Sequence, residues 1–190
     1  MIIFKNIEHT ELAIYDKIPM LVDVRSILKV EEIDGGLEGL LLRETPVDRY
    51  IKDLGKEEII SDLEDRFDIS NWAFWIAFDG KMPVGGAAAA SRTKGADMLD
   101  GRDDMSVLWD IRVDDGYKNK GIGSKLFDLA AEWSKNEGFV QMKIECQNNN
   151  VAACRFYRNK GAVLGKIDEY AYYKNNDVRD EVQLIWYLDL

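Results

Sequence analysis

The chain has 190 residues, of which 46% are hydrophobic and 32% are charged, and it contains only three prolines. A chain of this length and composition can bury a sizeable core as one domain, which excludes a disordered, collagen-like or disulfide-stapled protein. Lys and Arg number 25 against 35 Asp and Glu, giving a net charge of −10. This acidic balance argues against a surface for DNA or RNA and favours a cationic partner.

Cysteine and histidine usage limits both the setting and the chemistry. Cys146 and Cys154 fall in a predicted strand and a predicted helix, and the amino terminus lacks a basic region followed by an apolar run. We therefore expect a reducing, cytoplasmic setting, and no membrane partner, because the apolar runs are far shorter than the roughly 20 residues of a membrane helix. His9 is the only histidine, so we predict no metal and no histidine-rich catalytic site.

The first half of the chain is predicted to be rich in strands. Glycine-containing turns at Gly35 and Gly80 separate apolar runs, which is typical of hairpins. Apolar residues at helical spacing predict one helix between the two hairpins. The predicted elements are a hairpin of residues 24–33 and 37–44, a helix over 57–67, and a hairpin of 72–78 and 81–91.

The second half alternates strands with helices. From Met105 to Val113 every odd position is apolar, which predicts a strand whose other face carries Asp110 and Arg112. The further predictions are helices over 121–133 and 150–160 and strands over 140–147, 164–173 and 182–188. This order predicts an α/β (α+β) fold with a mixed sheet, in one domain spanning residues 1–190.

A glycine-containing loop joins the strand ending at Val113 to the following helix. The first N–H groups of a helix are unpaired and carry partial positive charge, and glycines let a ligand approach the main chain closely. Phosphate or diphosphate suits such a place, although the glycines could also serve the turn alone. The candidate binding residues are Lys118, Asn119, Lys120, Gly121, Ile122, Gly123 and Ser124.

A second motif lies on the next predicted helix, at Asn150, Ala153, Phe156, Tyr157 and Gly161. Together with the glycine loop it resembles the GNAT superfamily of N-acetyltransferases, over residues 105–163. Lys118 replaces the usual first residue of the family's loop, and Ala162 replaces a usual phenylalanine. The resemblance implies a mostly antiparallel central sheet flanked by helices, with acetyl-CoA as acetyl donor.

Four further segments look like the streptothricin acetyltransferase branch of this superfamily. They are residues 41–46, 109–113, 145–150 and 186–188. The resemblance implies acetylation of a primary amine on a small cationic antibiotic, and with it antibiotic resistance. A polyamine, a protein lysine or a protein amino terminus would fit the acidic balance equally well.

Acetyl transfer to an amine needs a general base. An amine of pKa about 10.4 is protonated at neutral pH, and freeing its lone pair costs about 4 to 5 kcal/mol. Glu145 and Asp110 both fall on the less apolar faces of their predicted strands and are the candidate bases. Glu145 is favoured because it is nearer in sequence to the Asn150 helix, whereas Asp110 could instead pair with Arg112.

The family resemblance gives roles to other residues. It implies that the Tyr157 hydroxyl donates a proton to the departing sulfur of CoA. It also implies that Asn150 contacts the cofactor, although this residue could serve only as a helix N-cap. The main chain of Ile111, Arg112 and Val113 would bind the pantetheine arm and the acetyl carbonyl.

Other interpretations of the same residues stay open at this point. A relay through Cys146 or Cys154 would form an acetyl-enzyme, although buried, inert thiols are favoured since no histidine is near in sequence. A module that binds acyl-CoA without catalysis would keep the loop but lack a productive base. A homodimer is compatible with the sequence.

Overall fold

The computed structural model describes residues 1–56 and 58–190. These residues form two compact units. The first unit contains Met1–Leu21, Asp53–Ile144 and Leu188–Leu190, and the second contains Val22–Lys52 and Glu145–Tyr187. That the whole chain is one domain stays a prediction.

Helices and strands follow one another along the chain much as the pattern predicts. The strands are β1 (Ile2–Ile7), β2 (Leu21–Ile33), β3 (Gly39–Asp53), β4 (Ala73–Asp79), β5 (Met82–Ser91), β6 (Met105–Val113), β7 (Gln141–Gln147), β8 (Val163–Asp168) and β9 (Gln183–Asp189). The α-helices are α1 (Leu12–Tyr15), α2 (Leu63–Arg66), α3 (Ile122–Asn136) and α4 (Val151–Asn159). Short 3₁₀ segments cover His9–Glu11, Leu54–Lys56, Ile60–Asp62, Asp97–Leu99 and Asp115–Tyr117.

The first unit is built on a sheet with strand order β1-β4-β5-β6-β7. Its neighbours pair antiparallel except β6 and β7, which are parallel. Helices cover both faces, as two adjacent glycines of β5 show. A Cβ on Gly85 would meet Ile122 and Leu126 of α3, whereas a Cβ on Gly86 would meet the ring of Tyr15 in α1, because successive residues of a strand face opposite sides.

The second unit holds the β2–β3 pair, α4, and the strand order β7-β9-β8. Asn148, directly after β7, connects two parts of this unit. Its side-chain amide donates to the Leu28 carbonyl at 3.1 Å and its Oδ1 accepts from the Val182 N–H at 3.0 Å. Its backbone makes two further bonds to the same residues, each 2.9 Å, so this asparagine has a structural role.

The mixed α/β fold class is confirmed, and most predicted elements are found. The predicted helix over 57–67 is shorter than expected, with helical turns only from Ile60 to Arg66, and Glu57 lies outside the described residues. The predicted strand over 164–173 is wrong beyond Asp168. There the Asp168 carboxylate accepts a hydrogen bond from the Tyr170 N–H at 3.0 Å, and such a local bond favours a turn over a continued strand.

Candidate active site

A β-bulge in β6 decides where Asp110 and Arg112 lie. On β5, Ala89 pairs with Leu108, but its neighbour Ala88 pairs with Asp110, so Trp109 is an extra residue on β6. A bulge interrupts the alternation of a strand and re-aims the residues that follow. Asp110 and Arg112 share a face, as predicted, but that face is covered by α1 and both residues are buried.

The Asp110 carboxylate is held by three donors. The Tyr15 hydroxyl donates to its Oδ1 at 2.6 Å, and Arg112 donates to Oδ1 from Nε at 2.9 Å and to Oδ2 from Nη2 at 2.6 Å. The guanidinium also donates to the carbonyls of Ile18, at 3.4 Å, and Glu58, at 3.2 Å. Both oxygens of Asp110 are therefore occupied, which favours the role of ion-pair partner to Arg112 over that of general base.

The surroundings of Tyr15 and Arg112 shift the pKa values of both side chains upward. Burial alone would lower the pKa of Arg112, but the hydrogen bonds and charge of Asp110 outweigh it and raise that pKa. Burial, followed by the Asp110 charge, raises the pKa of Tyr15 well above its usual value. Tyr15 thus stays a neutral donor and Arg112 stays a cation.

Within the first unit, the last residues of β6 are held by β5. The pairs of β6 with β7 run from Met105 with Gln141 to Leu108 with Ile144, which is the last β7 residue of this unit, while β6 continues to Val113. On the β5 side, Ile111, Arg112 and Val113 pair with Ala87, Gly86 and Gly85. That their main chain binds the pantetheine arm stays a prediction.

The turn from β6 into α3 leaves the helix N-terminus open. Gly121 is the N-cap, in the left-handed region with φ of 80°, and α3 has no side-chain cap. A Cβ on Gly121 would meet nothing within 4 Å, so the approach to its main chain is clear. Gly123 lies beside the end of β6, since its Cβ would be 3.5 Å from Cγ2 of Val113. The first N–H groups of α3 are thus available to an anion.

The two lysines of this loop contact nearby oxygens of the first unit. Lys118 Nζ lies 2.5 Å from Oδ1 of Asp115 and donates to the Leu21 carbonyl at 2.8 Å. Lys120 Nζ donates to the Gly116 carbonyl at 2.7 Å and lies over the ring of Tyr117. Both lysines are exposed, and exposed pairs contribute little, so either ammonium can exchange its partner for an anion.

In the second unit, Glu145 is half-buried near the end of β7. Its Oε1 accepts a hydrogen bond of 2.6 Å from the Tyr172 hydroxyl, whose oxygen in turn accepts from Nε2 of Gln147 at 3.3 Å. Burial, followed by the Glu145 charge, raises the pKa of Tyr172. Within the described residues, Oε1 is the one Glu145 oxygen that accepts a hydrogen bond, so Oε2 is available to take a proton.

Helix α4 carries the two remaining predicted residues. The Asn150 side chain accepts from the Ala153 N–H at 3.2 Å, so it acts as the N-cap, and a cofactor contact through its other amide atom stays a prediction. Tyr157 lies two turns further along α4 and is buried, with its ring edge-on to Phe156 at 5.5 Å between centroids.

The predicted residues thus divide between the units. The first assembles Asp110, the edge of β6 and the 118–124 loop, and the second assembles Glu145, Asn150 and Tyr157. Sequence reasoning missed Tyr15, for which no signal exists in the printed sequence. Tyr172 lies in the segment 164–173, which the pattern predicts to be a strand.

Within residues 1–56 and 58–190, two kinds of feature are absent. No group of three or more His, Cys, Asp or Glu side chains is placed to hold a metal ion. None of the helices described has both the length and the apolar character that crossing a bilayer requires.

Comparison with known proteins identifies the class. Residues 41–162 match the family model described as Acetyltransferase (GNAT) family. The match covers more than half of the chain, which therefore belongs to the GNAT family of acetyltransferases, and the resemblance based on the loop and the Asn150 motif is confirmed.

Curated relatives carry the name streptothricin acetyltransferase. The protein from Bacillus subtilis (strain 168), streptothricin acetyltransferase A, is 33% identical over 82 residues, 43% of this chain and 47% of the relative. The protein from Streptomyces lavendulae is 28% identical over 145 residues, 75% of this chain and 73% of the relative. The matched part spans about half the length of the Bacillus relative.

Solved structures agree over the whole chain. A protein from Bacillus anthracis str. Ames, assigned as a streptothricin acetyltransferase and crystallised with acetyl coenzyme A, has a TM-score of 0.76 at 25% identity and covers 100% of this chain and 98% of its own. Nourseothricin acetyltransferase has a TM-score of 0.77 at 19% identity, with 99% and 98% covered. The second likeness concerns the fold alone.

Proposed function

We propose that this protein transfers the acetyl group of acetyl-CoA to a primary amine of a small cationic molecule of the streptothricin type. The observation that carries the proposal is the junction of β6 and α3, where the helix N-terminus is capped only by glycine. The name and the bound acetyl coenzyme A of the Bacillus anthracis neighbour support the same donor and acceptor.

The donor would lie along this junction. The N–H groups of the first turn of α3, from Ile122 to Ser124, would hold the diphosphate, because the helix dipole and the unpaired amides both favour negative charge. Lys118 and Lys120 would turn from their own loop to the phosphates. The main chain of residues 111–113 would hold the pantetheine arm and the acetyl carbonyl.

Glu145 would take the proton of the acceptor amine. Its Oε1 is fixed by Tyr172, which orients the carboxylate, and its Oε2 is left to receive the proton directly or through one water. The base must offset the roughly 4 to 5 kcal/mol that a neutral amine costs at neutral pH. The closed hydrogen-bond set of Asp110 assigns that residue to structure instead.

Tyr157 would donate a proton to the sulfur of CoA as the thioester breaks. The amine nitrogen forms the new C–N bond, the C–S bond breaks, and the thiolate is neutralised by the phenol. Its buried ring on α4 supports a fixed position, which a general acid needs.

The acceptor class follows from charge and from the surroundings of Glu145. The protein has a net charge of −10, and Tyr172 belongs to a segment, residues 170–175, that lines an open cavity of about 700 Å³. The tyrosine rings of this lining, and the Glu145 carboxylate that is bonded to Tyr172, suit an organic cation.

An acetyl-CoA consumption assay over streptothricin-type antibiotics, aminoglycosides, polyamines and lysine peptides tests the acceptor. We expect one clear preference, for the streptothricin type. A preference for a polyamine or a lysine peptide would show that the acceptor is of that class and not of the streptothricin type. Tight binding of acetyl-CoA without turnover on any amine would favour a non-catalytic acyl-CoA-binding module.

Calorimetry with CoA tests the diphosphate site. The variant Gly123→Asp places a carboxylate at the N-terminus of α3 and should weaken CoA binding at least about tenfold through repulsion. Asn136→Asp adds the same charge at the exposed opposite end of the same helix, and it should bind CoA like the parent. If both variants bind CoA equally well, the diphosphate does not bind at this loop.

A further inference from the structure

The two cysteines of the chain lie side by side in the second unit. Cys146 is on β7 and Cys154 is on α4, and their sulfur atoms are 3.3 Å apart. Both are free thiols, and both are buried, at 5% and 2% exposure. Catalysis as proposed uses neither of them.

The protonation state of Cys146 argues against a nucleophilic role for this residue. The hydrogen bond with Cys154, together with burial, raises the pKa of the Cys146 thiol well above its usual value. A thiol that stays protonated is a poor acyl acceptor, so an acetyl-enzyme relay gains no support from this pair. Two neighbouring thiols have a different chemistry, which is oxidation to a disulfide.

From this geometry we propose that Cys146 and Cys154 form a reversible disulfide when the protein meets a small hydroperoxide. One sulfur attacks the peroxide oxygen, and water leaves, which gives a sulfenic acid. The second sulfur then displaces the hydroxyl as another water. In total, two thiols and one hydrogen peroxide give one disulfide and two waters, so the peroxide is the oxidant and the pair is the reductant.

Burial selects the oxidant. Hydrogen peroxide is close to water in size and can reach thiols that a bulky disulfide or hydroperoxide cannot. The raised pKa of Cys146 makes the reaction slow, whereas the neighbouring sulfur makes the disulfide the preferred product over sulfinic acid.

The disulfide would affect the proposed catalytic helix. A disulfide needs its sulfurs about 2.05 Å apart, so the two sulfur atoms must move together from the present 3.3 Å and draw on the segments that carry them. Cys154 lies one turn before Tyr157 on α4, and Glu145 directly precedes Cys146 on β7. Because displacements of about 1 Å in a catalytic group can cost 10²-fold in rate, we expect the oxidised protein to turn over at least about tenfold more slowly.

The chemistry is tested by mass spectrometry after incubation with hydrogen peroxide, independently of any acetyl transfer. We expect a loss of two hydrogen atoms from the intact mass, disappearance of both titratable thiols, and a linked peptide containing residues 146 and 154. Cumene hydroperoxide and glutathione disulfide should give little of this product. Two reduced thiols after prolonged peroxide, or oxygen addition to either cysteine in place of the link, would overturn the proposal.

The effect on turnover rests on the proposed function and is measured separately. Dithiothreitol should restore the activity of the oxidised protein, while oxidised methionines would not be repaired by it. The variants Cys146→Ser and Cys154→Ser each lack one partner and should show no peroxide effect that dithiothreitol reverses. A disulfide that forms without changing turnover would overturn the regulatory part, and an inactive reduced protein would count against the acetyltransferase proposal and leave the disulfide itself intact.

Discussion

Asp110 and Glu145 are carboxylates on strands whose sequences alternate in the same way, yet their surroundings are opposite. Asp110 is buried, accepts three hydrogen bonds and faces a guanidinium. Glu145 is half-buried and accepts one bond, from a tyrosine. The first arrangement is typical of a structural ion pair, whereas the second leaves one oxygen open, as the general base that we propose requires.

The largest effect is expected from a substitution of Asp110. Replacing it with asparagine leaves the buried Arg112 cation without its counter-charge, and removing one partner of a buried pair costs about 3 to 5 kcal/mol. We expect Asp110→Asn to lower the free energy of unfolding by that amount in urea titrations. The exposed Asp115→Asn is the control and should change it little. If Asp110→Asn is as stable as the parent, Asp110 does not have the structural role described here.

Gly86 tests how closely α1 approaches the sheet next to this cluster. A Cβ there would lie 2.5 Å from Cε2 of Tyr15, so Gly86→Ala must displace the ring and should cost about 1 to 3 kcal/mol. Gly123→Ala is the matched control, because its Cβ meets only an ordinary contact at 3.5 Å. Equal stability of the two variants in thermal unfolding would contradict the packing described for Tyr15.

The dependence of stability on alkaline pH tests the role of Tyr15. Its pKa is raised above 10.0 in the folded protein, so above that pH the unfolded chain loses this proton while the folded protein keeps it. The stability present below pH 10 therefore declines as pH rises, by about 1.4 kcal/mol per pH unit from this group.

The variant Tyr15→Phe should show a shallower decline between about pH 9 and pH 11. Part of the decline should remain, since the pKa values of Tyr172 and Cys146 are also raised. The free energy of unfolding is measured by urea titrations at each pH. If its slope against pH is the same in Tyr15→Phe as in the parent, Tyr15 is not the group that causes the decline.

Tyr172 probes the other carboxylate, with the smallest expected effect. Tyr172→Phe removes the one donor to Glu145, and a hydrogen bond to a half-exposed charge is worth about 1.4 kcal/mol, or tenfold in turnover. The exposed Tyr173→Phe keeps its ring against Arg179 and should leave the rate unchanged. Equal rates for the two variants would show that Tyr172 does not position the base.

Most of the fold could be predicted because its signals are local. The alternation over Met105–Val113 and the glycine ahead of α3 predicted a strand and a helix start within one residue of their observed bounds. The predicted strand over 164–173 is wrong beyond Asp168. There a hydrogen bond from the Tyr170 N–H to the Asp168 side chain takes the place of strand pairing.

The site was predictable only where a motif carries it. The loop at 118–124 and the helix of Asn150 and Tyr157 have spacing that can be read along the chain. The burial of Asp110 could not be predicted, because it depends on one extra residue at Trp109 and on a tyrosine that is 95 positions away in sequence.

The proposed mechanism depends most on Glu145 acting as the general base. The direct measurement is the rate of acetyl transfer by Glu145→Gln and by folded Asp110→Asn, each with CoA affinity measured by calorimetry. We predict that Glu145→Gln binds CoA like the parent and loses at least about 10²-fold in turnover, while folded Asp110→Asn retains most of its rate. Full turnover in Glu145→Gln, or a larger loss in Asp110→Asn at equal CoA binding, would contradict it.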